Sequence, residues 1–511
     1  MSDDNSFVYG STSRKYSFID GLDVNKEASG RLTYILDKIV SGNDTVLTAP
    51  YCNRKSPDDI LKEWSNLFNE KRTFMNDQLI KIEESQISKF GPRSIAKPYS
   101  ERKESIMDGF KHDDCPELEI VNQTARNTLR PLSICSALKF LKNSTNSGLP
   151  YLLRKGLVKE RVVDNFSELL ARKDPCLMFT RTQENQKTRT VWGYPIADTL
   201  NEMMFYRPVL EFQKKLKWRS ALLGPDDVAK RISEMYIMKD VSSSFISIDF
   251  SAYDQSISPT LQKFAFDYIR IMYDSQQHDS IDYIRDRFKS IPLVTPQGVL
   301  TGDHGVPSGS TFTNEVDSIV QYLILKQHFS NEMLSFQVQG DDGAYLIKNK
   351  SVERLYSTFE KYGLKVNTDK SLVSEDTVTY LQCLYHKDYL SEGKLVGVYP
   401  TYRALGKIIF PERWASIEDF GLSGSDYFSI RTISILENCK YHPLFETLVN
   451  FIYSLDKYKL NYTQAGLDKF VEMFSQTEGT EGVIVNNPGS NLKGLNRFET
   501  VKILRSLRNQ V

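Results

Sequence analysis

Phe336-Gln337-Val338-Gln339-Gly340-Asp341-Asp342-Gly343-Ala344-Tyr345-Leu346-Ile347 reads as a β-hairpin, with apolar residues either side of a glycine-acid turn. About ninety residues earlier, Phe245-Ile246-Ser247-Ile248-Asp249-Phe250 has the apolar run of a buried strand. Ser258-Pro259 then offers a helix cap with proline at the first helical position. Leu261, Phe264, Ala265, Tyr268, Ile271 and Met272 follow at helical spacing, as do Val316, Ile319, Val320, Leu323 and Ile324. Beyond the hairpin, Val352, Leu355, Tyr356 and Phe359 mark another helix, and Val378–Tyr385 reads as a strand. Setting aside the middle helix, the order is strand, helix, hairpin, helix, strand. That is the split β-α-β order of an α+β, ferredoxin-like sheet. Such a sheet brings Asp249 next to Asp341 and Asp342.

Three carboxylates at one place repel, and ionising all of them is costly. A divalent cation removes that cost. Mg²⁺ prefers oxygen ligands and often binds through one or two carboxylates plus substrate phosphates. Two such ions ~3.5–4 Å apart stabilise both the attacking and the leaving oxygen of an in-line phosphoryl displacement. A Gly-Asp-Asp triplet alone carries little weight, since it arises by chance in on the order of one chain in ten of this length. Its company carries more. Asp249-Phe250-Ser251-Ala252-Tyr253-Asp254 sets a second acid five residues after the first, and Gly305-Val306-Pro307-Ser308-Gly309-Ser310-Thr311-Phe312-Thr313-Asn314 is a small-residue loop entering a helix. Such a loop lets backbone approach a ligand closely and supplies hydroxyls.

These three blocks, in this order, resemble motifs A, B and C of the viral RNA-dependent RNA polymerases. Tyr362–Ser371 resembles motif D, Leu381–Leu384 motif E, Arg181 with Lys187–Trp192 the basic motif F, and Asn146–Pro150 motif G. The wording of motifs A to C is most similar to picobirnaviruses, then partitiviruses, whose genomes are double-stranded RNA. The resemblance implies a right hand of fingers, palm and thumb that joins ribonucleoside triphosphates on a single-stranded RNA template and holds the nascent duplex. It implies that Asp249, Asp341 and Asp342 hold two Mg²⁺ ions, with Mn²⁺ able to substitute. Asp254, Ser308, Gly309, Thr313 and Asn314 would face the ribose. Many positive-strand viral enzymes carry Asn where this chain has Asp317, so either Asn314 or Asp317 could complete ribose recognition. Arg181, Lys187 and Arg189 would grip the triphosphate, Lys370 would protonate the pyrophosphate, and Ser147, Gly148 and Pro150 would guide the template. The implied setting is a virion interior or host cytoplasm, with capsid protein as a partner and no membrane.

Composition agrees with an enzyme of this size. With 511 residues and 40% hydrophobic residues, the chain can build a substantial core in more than one subdomain. Sixty-five basic residues balance sixty-five acidic ones, which excludes a polycation but not local patches. Residues 154–219 are such a patch, with 14 Lys/Arg against 8 Asp/Glu. The six cysteines form no C-x-x-C pair and read as reduced thiols. His112 near Cys115, and Cys383 near His386, fall short of a zinc set. No P-loop, hydrolase triad, targeting peptide or membrane-length apolar run is visible. The expected division is an N-terminal extension (1–80), fingers (81–240), palm with motif A (241–260), a fingers insertion (261–304), palm with motifs B to E (305–400) and a helical thumb (401–511). A glycine-rich stretch at 478–490 suggests a platform for primer-independent initiation. Two alternatives compete. A reverse transcriptase usually has an aromatic residue two before the first hairpin Asp, where this chain has Gln339. A catalytically idle, polymerase-like RNA-binding protein would have no use for costly clustered carboxylates.

Overall fold

A computed structural model describes residues 15–50, 55–120, 126–478 and 492–509. The strands that position the site are β1 (Cys176–Thr182), β2 (Thr188–Gly193), β3 (Ser243–Ile248), β4 (Leu293–Thr295), β5 (Gly298–Leu300), β6 (Met333–Gln339), β7 (Asp342–Lys348), β8 (Leu372–Ser374), β9 (Thr377–Tyr380) and β10 (Cys383–His386). The central sheet runs β6-β7-β3-β8 with every neighbour antiparallel, the ferredoxin-like arrangement expected. All six residues of β3 are buried, because both faces of the sheet are covered. Ile246 and Ile248 pack with the helices Pro259–Arg270, Thr313–Phe329 and Val352–Lys361. Phe245 points the other way, toward the helix Pro225–Met238 and the β9–β10 hairpin.

That hairpin corrects the expected last strand. Residues 378–385 do not form one strand at the sheet edge, which is held instead by Leu372–Ser374. The run turns back at Leu381 and Gln382, both at positive φ, and packs Val378, Tyr380 and Tyr385 onto the back of the sheet. Neither Leu nor Gln is a turn signal, so a run of β-compatible residues without Gly, Pro, Asn or Asp hid the reversal. Two helices near the start of the described chain, Pro57–Glu70 and Asp77–Ile87, are separate elements, and Asn76 caps the second by accepting from the Leu79 N–H.

A second sheet, in the region expected to be the fingers, has the order β2-β1-β4-β5. β4 returns to it from beyond motif A and pairs in parallel with β1. The N-terminal residues join distant parts of the molecule. The helix Lys26–Ser41 buries Leu32 and Leu36 against Leu177 and Val294 of the fingers. The next two helices place Ile60, Trp64, Phe68 and Leu79 in one core with Tyr402, Leu405, Ile433 and Leu448. Glu83, fully buried, caps the helix Thr401–Ile409 by accepting from the Thr401 N–H (2.6 Å) and hydroxyl (2.7 Å) and the Tyr402 N–H (3.1 Å). Arg93 bridges Glu184 (2.6 Å) beside the fingers hairpin and Glu412 (2.7 Å) past that helix. The N-terminal residues therefore link the second sheet to the C-terminal helices.

The C-terminal part is helical, as expected, and its last helix, Glu499–Asn509, buries Val501 and Leu504 while Lys502, Arg505 and Arg508 face out. The stretch 478–490 lies, apart from Glu478, outside the described residues. Among the described residues no helix is long and apolar enough to cross a membrane. Trp64 is wholly buried in the shared core. Trp64→Ala should lower stability by about 3–5 kcal/mol in denaturant titrations, and hydrogen exchange should show helices 401–455 opening before the central sheet.

Candidate active site

Asp249 is the first residue beyond β3, and Asp341 lies in the turn joining β6 to β7. Ile248 pairs with Gly343, so Asp249 emerges beside Asp342, and three carboxylates gather at one end of the sheet. The turn is tight, since Gln339 already pairs with Asp342. Its first residue, Gly340, has φ +64°, a conformation that favours glycine. The helix Thr313–Phe329 pins the turn from behind. Ser318 Oγ accepts from the Gly340 N–H (2.8 Å), and Gln321 Nε2 donates to the Gly340 carbonyl (2.7 Å). The motif-D segment fixes Asp249. Its N–H donates to Ser371 Oγ (3.0 Å), and its carbonyl accepts from the Asn367 N–H (2.8 Å).

The electrostatics follow from this convergence. Burial pushes the Asp249 carboxyl up, and the charge of Asp341 adds to that; Lys370, Lys187 and Lys89 pull it back. Asp342 is pushed up to about 7 by burial, then by Asp341 and Asp249. Asp254 is raised to about 6 by burial and by Asp341, against Arg189. Among the described residues no three acidic, His or Cys side chains already form a metal cage. Oxygen donors left partly uncompensated nevertheless fit a hard divalent cation that completes its shell with water and phosphate oxygens.

Cations surround the carboxylates. Arg181 on β1 lies directly opposite Arg189 on β2, and both are exposed. Like charges facing each other across a ladder are unfavourable unless an anion lies between or near them. Lys187, at the end of the same hairpin turn, is pushed down by burial and then by Arg189 and Lys370. Lys370 is exposed near the end of the motif-D segment, and its charge acts on Asp249. The charge of Lys89, which follows the helix Asp77–Ile87, also acts on Asp249. No sequence signal marks it, because it comes from a stretch with no motif.

The motif-B loop is held closely. Ser308 Oγ donates to the Thr190 carbonyl (3.2 Å). Gly309 lies against the backbone of β2; a Cβ there would fall 1.6 Å from the Trp192 carbonyl oxygen. Thr313 Oγ donates to the carbonyls of Pro307 (2.9 Å) and Ser310 (3.1 Å). Asn314 Oδ1 accepts from Arg219 (3.1 Å), and its Nδ2 lies over Gly340. Asp317 is buried and has one oxygen without a partner; burial, then Asp254 and Asp341, push it well up. Motifs A and B also meet through the Val306 N–H to the Asp254 carbonyl (2.7 Å) and through Tyr253 Oη to the Asp317 carbonyl (3.0 Å).

Two further residues organise this loop. Arg219 is fully buried, ion-paired with Glu315 (2.6 Å), and also donates to Ser318, Asn314 and the Val338 carbonyl. Glu202, on the helix Ile196–Gln213, accepts from Ser310 and Thr311 and is lifted to about 7 by burial. Both lie on segments where a charged residue reads as surface, so only tertiary structure reveals them.

The template-side loop is shaped from within. Ser147 is buried; its hydroxyl donates to the Gly148 carbonyl (3.3 Å) and accepts from the Leu153 N–H (3.2 Å). Gly148, at φ +64°, packs against the backbone of Tyr194 and Pro195. Pro150 follows a cis bond and is half-buried.

The sequence pattern of the family described as Viral RNA-dependent RNA polymerase matches residues 85–398. The chain is 29% identical over 459 residues to a "Potential RNA-dependent RNA polymerase" of human picobirnavirus (strain Human/Thailand/Hy005102/-), covering 83% of this chain and 84% of that one. It is 25% identical over 314 residues to the RNA-directed RNA polymerase of Cryptosporidium parvum virus 1 (strain KSU-1), covering 55% of this chain and 57% of that one. A crystal structure of the RNA-dependent RNA polymerase of a human picobirnavirus superposes with a TM-score of 0.78 at 25% identity, over 94% of this chain and 97% of that one.

Arg219→Met leaves Glu315 buried without its partner. We expect a loss of about 3–5 kcal/mol in stability, with much of it recovered in Arg219→Met/Glu315→Leu, as measured by denaturant unfolding.

Proposed function

This chain belongs to the viral RNA-dependent RNA polymerases, and from that premise we propose how its site makes RNA and for what genome. The right-hand fold and the polymerase activity are those of the family. The finer reading is template-directed nucleotidyl transfer that replicates and transcribes a double-stranded RNA genome, within a virion or the host cytoplasm and beside capsid protein. We divide the hand into fingers (81–240 and 261–304), palm (241–260 and 305–400) and thumb (401–511). The observation that carries the mechanism is the meeting of Asp249 with the 341–342 turn inside a ring of cations from separate elements.

In this reading Asp249, Asp341 and Asp342 hold two Mg²⁺ ions. Such a pair, when bound, lowers the cost of forming a nucleophilic 3′-oxygen and of charge on the triphosphate. The chain's own residues do the rest. Arg181, Arg189 and Lys187 take the phosphate oxygens, with Arg able to bind two at once, and Lys89 adds charge from the N-terminal side. The triphosphate supplies the anion that the facing arginines lack. Lys370, across from Asp249, carries a proton to the departing pyrophosphate. Asp254 accepts from the ribose 2′-hydroxyl, the group that separates RNA from DNA. Asp317 backs it from the motif-B helix with its unpartnered oxygen. Asn314 serves the hairpin turn instead, since Arg219 holds its side-chain oxygen. Ser308, Gly309 and Thr313 shape the wall against which the sugar lies. The loop of Ser147, Gly148 and Pro150 directs the template.

Purified protein given Mg²⁺, four ribonucleotides and single-stranded RNA should synthesise complementary RNA and should discriminate against deoxyribonucleotides. Asp341→Ala or Asp249→Ala should cut synthesis by roughly 10²–10³-fold or more, the scale of losing a preorganised electrostatic partner. An Asp341→Ala protein that still elongates would defeat the metal assignment. Mg²⁺ or Mn²⁺ should raise the melting temperature of the wild type and not of the Asp249→Ala/Asp341→Ala pair.

Asp254 supplies a pH test. Its folded value, about 6, lies above the usual carboxylate range. The folded state thus binds this proton more tightly, and the associated stability is lost as pH rises from about 4 through 6. In metal-free protein, Asp254→Asn should gain melting temperature relative to wild type over that interval, while losing selectivity for ribonucleotides.

A further inference from the structure

We propose that Glu202 is a positioning residue for nucleotide addition: from the fingers helix, it sets the conformation of the Ser308–Thr311 loop on which ribose selection depends. This inference rests on the polymerase reading above. Glu202 is 2% exposed. Ser310 Oγ donates to its two oxygens (2.9 and 2.8 Å), the Thr311 N–H donates to Oε2 (2.8 Å), and Thr311 Oγ1 donates to the same oxygen (3.0 Å). Every one of these contacts comes from the motif-B loop.

A buried carboxylate is a poor way to gain stability, because its desolvation offsets most of what its hydrogen bonds return. A leucine would fill the same helical position at less cost. What a carboxylate adds is geometry. It accepts several donors at once and so fixes the direction of two consecutive loop residues. The effect propagates along the loop. Ser310 Oγ accepts from the Phe312 N–H (3.1 Å), and the Ser310 carbonyl receives the Thr313 hydroxyl (3.1 Å). One residue further on, Asn314 lies over Gly340, next to Asp341. The other holds differ in kind: Ser308 has one bond to Thr190, Gly309 is fixed only by close packing on Trp192, and the Thr313 hydroxyl bonds are internal to the motif, so Glu202 is the group that ties Ser310 and Thr311 to the fingers helix. Releasing Glu202 therefore frees the loop where its own sequence of small residues gives it no stiffness.

The test is single-nucleotide incorporation on a primed RNA template by wild type, Glu202→Gln, Ser310→Ala and the double variant, using one ribonucleoside triphosphate and its 2′-deoxy counterpart. We expect Glu202→Gln to raise KM for the ribonucleotide about tenfold, with kcat changed less than about threefold, and to narrow the ribose preference about tenfold, the scale of one charge-assisted hydrogen bond. Ser310→Ala should move the same quantities, and the double variant should be no worse than the worse single one. Should Glu202→Gln fail to fold, Ser310→Ala and Thr311→Val carry the same expectation from the loop side. Unchanged KM and preference, or purely additive losses that track melting temperature, would overturn the positioning role while leaving the polymerase reading intact. A wild-type protein that makes no RNA under these conditions would overturn the polymerase reading instead.

Discussion

Negative charge collected at one end of a four-stranded sheet is the constraint around which this molecule is built. Asp249, Asp341 and Asp342 come together only because β3 pairs with β7 in a register that sets Ile248 against Gly343. Asp249 and Asp342 are pushed up by their burial and by the neighbouring negative charge. The fold tolerates this because opposite charge arrives from elsewhere. Lys187 and Arg189 come from the β1–β2 hairpin, Lys370 from within motif D and Lys89 from the N-terminal side. Those cations repel one another in turn, most plainly Arg181 and Arg189. Both sets are left undercompensated, a condition that the proposed metal-bound triphosphate would relieve.

Keeping such a site in shape requires buried polar holds rather than more hydrophobic area. Arg219 joins the motif-B helix to the strand before the hairpin turn, and Glu202 joins the same motif to the fingers. Glu83 joins the N-terminal helices to the first thumb helix. Each is a charged group almost without solvent contact, so each is satisfied in one arrangement and costly in others. Glu83, with Leu32, Leu36 and Trp64, ties the first described residues to the second sheet and to the C-terminal helices.

Much of the palm was legible because its signals are local. The buried run before Asp249, the Ser258-Pro259 cap and the glycine-acid turn each depend on a handful of neighbours. The β9–β10 reversal was not legible, since Leu381 and Gln382 adopt positive φ under tertiary packing and not by preference. Lys89, exposed after its helix, carried no motif, and Arg219 and Glu202 were invisible for a related reason. A charged residue on a helix or after one reads as solvated surface, and burial is a property of what folds over it. Ser147 shows the converse. Its motif was readable, yet its side chain turns inward to shape the loop.

Sequence alone determined which chemical groups were available and in what order: three acids on two strand ends, a basic hairpin, and a loop of small residues leading into a helix. Those follow from periodicity, turn chemistry and side-chain type, which act over a few residues. Tertiary structure decided which of these groups face one another, how far each is removed from water, and which distant charges hold them there. Proximity across a hundred residues is set by strand register and by the packing of helices over the sheet, and the strength of a charge depends on the surroundings that packing creates.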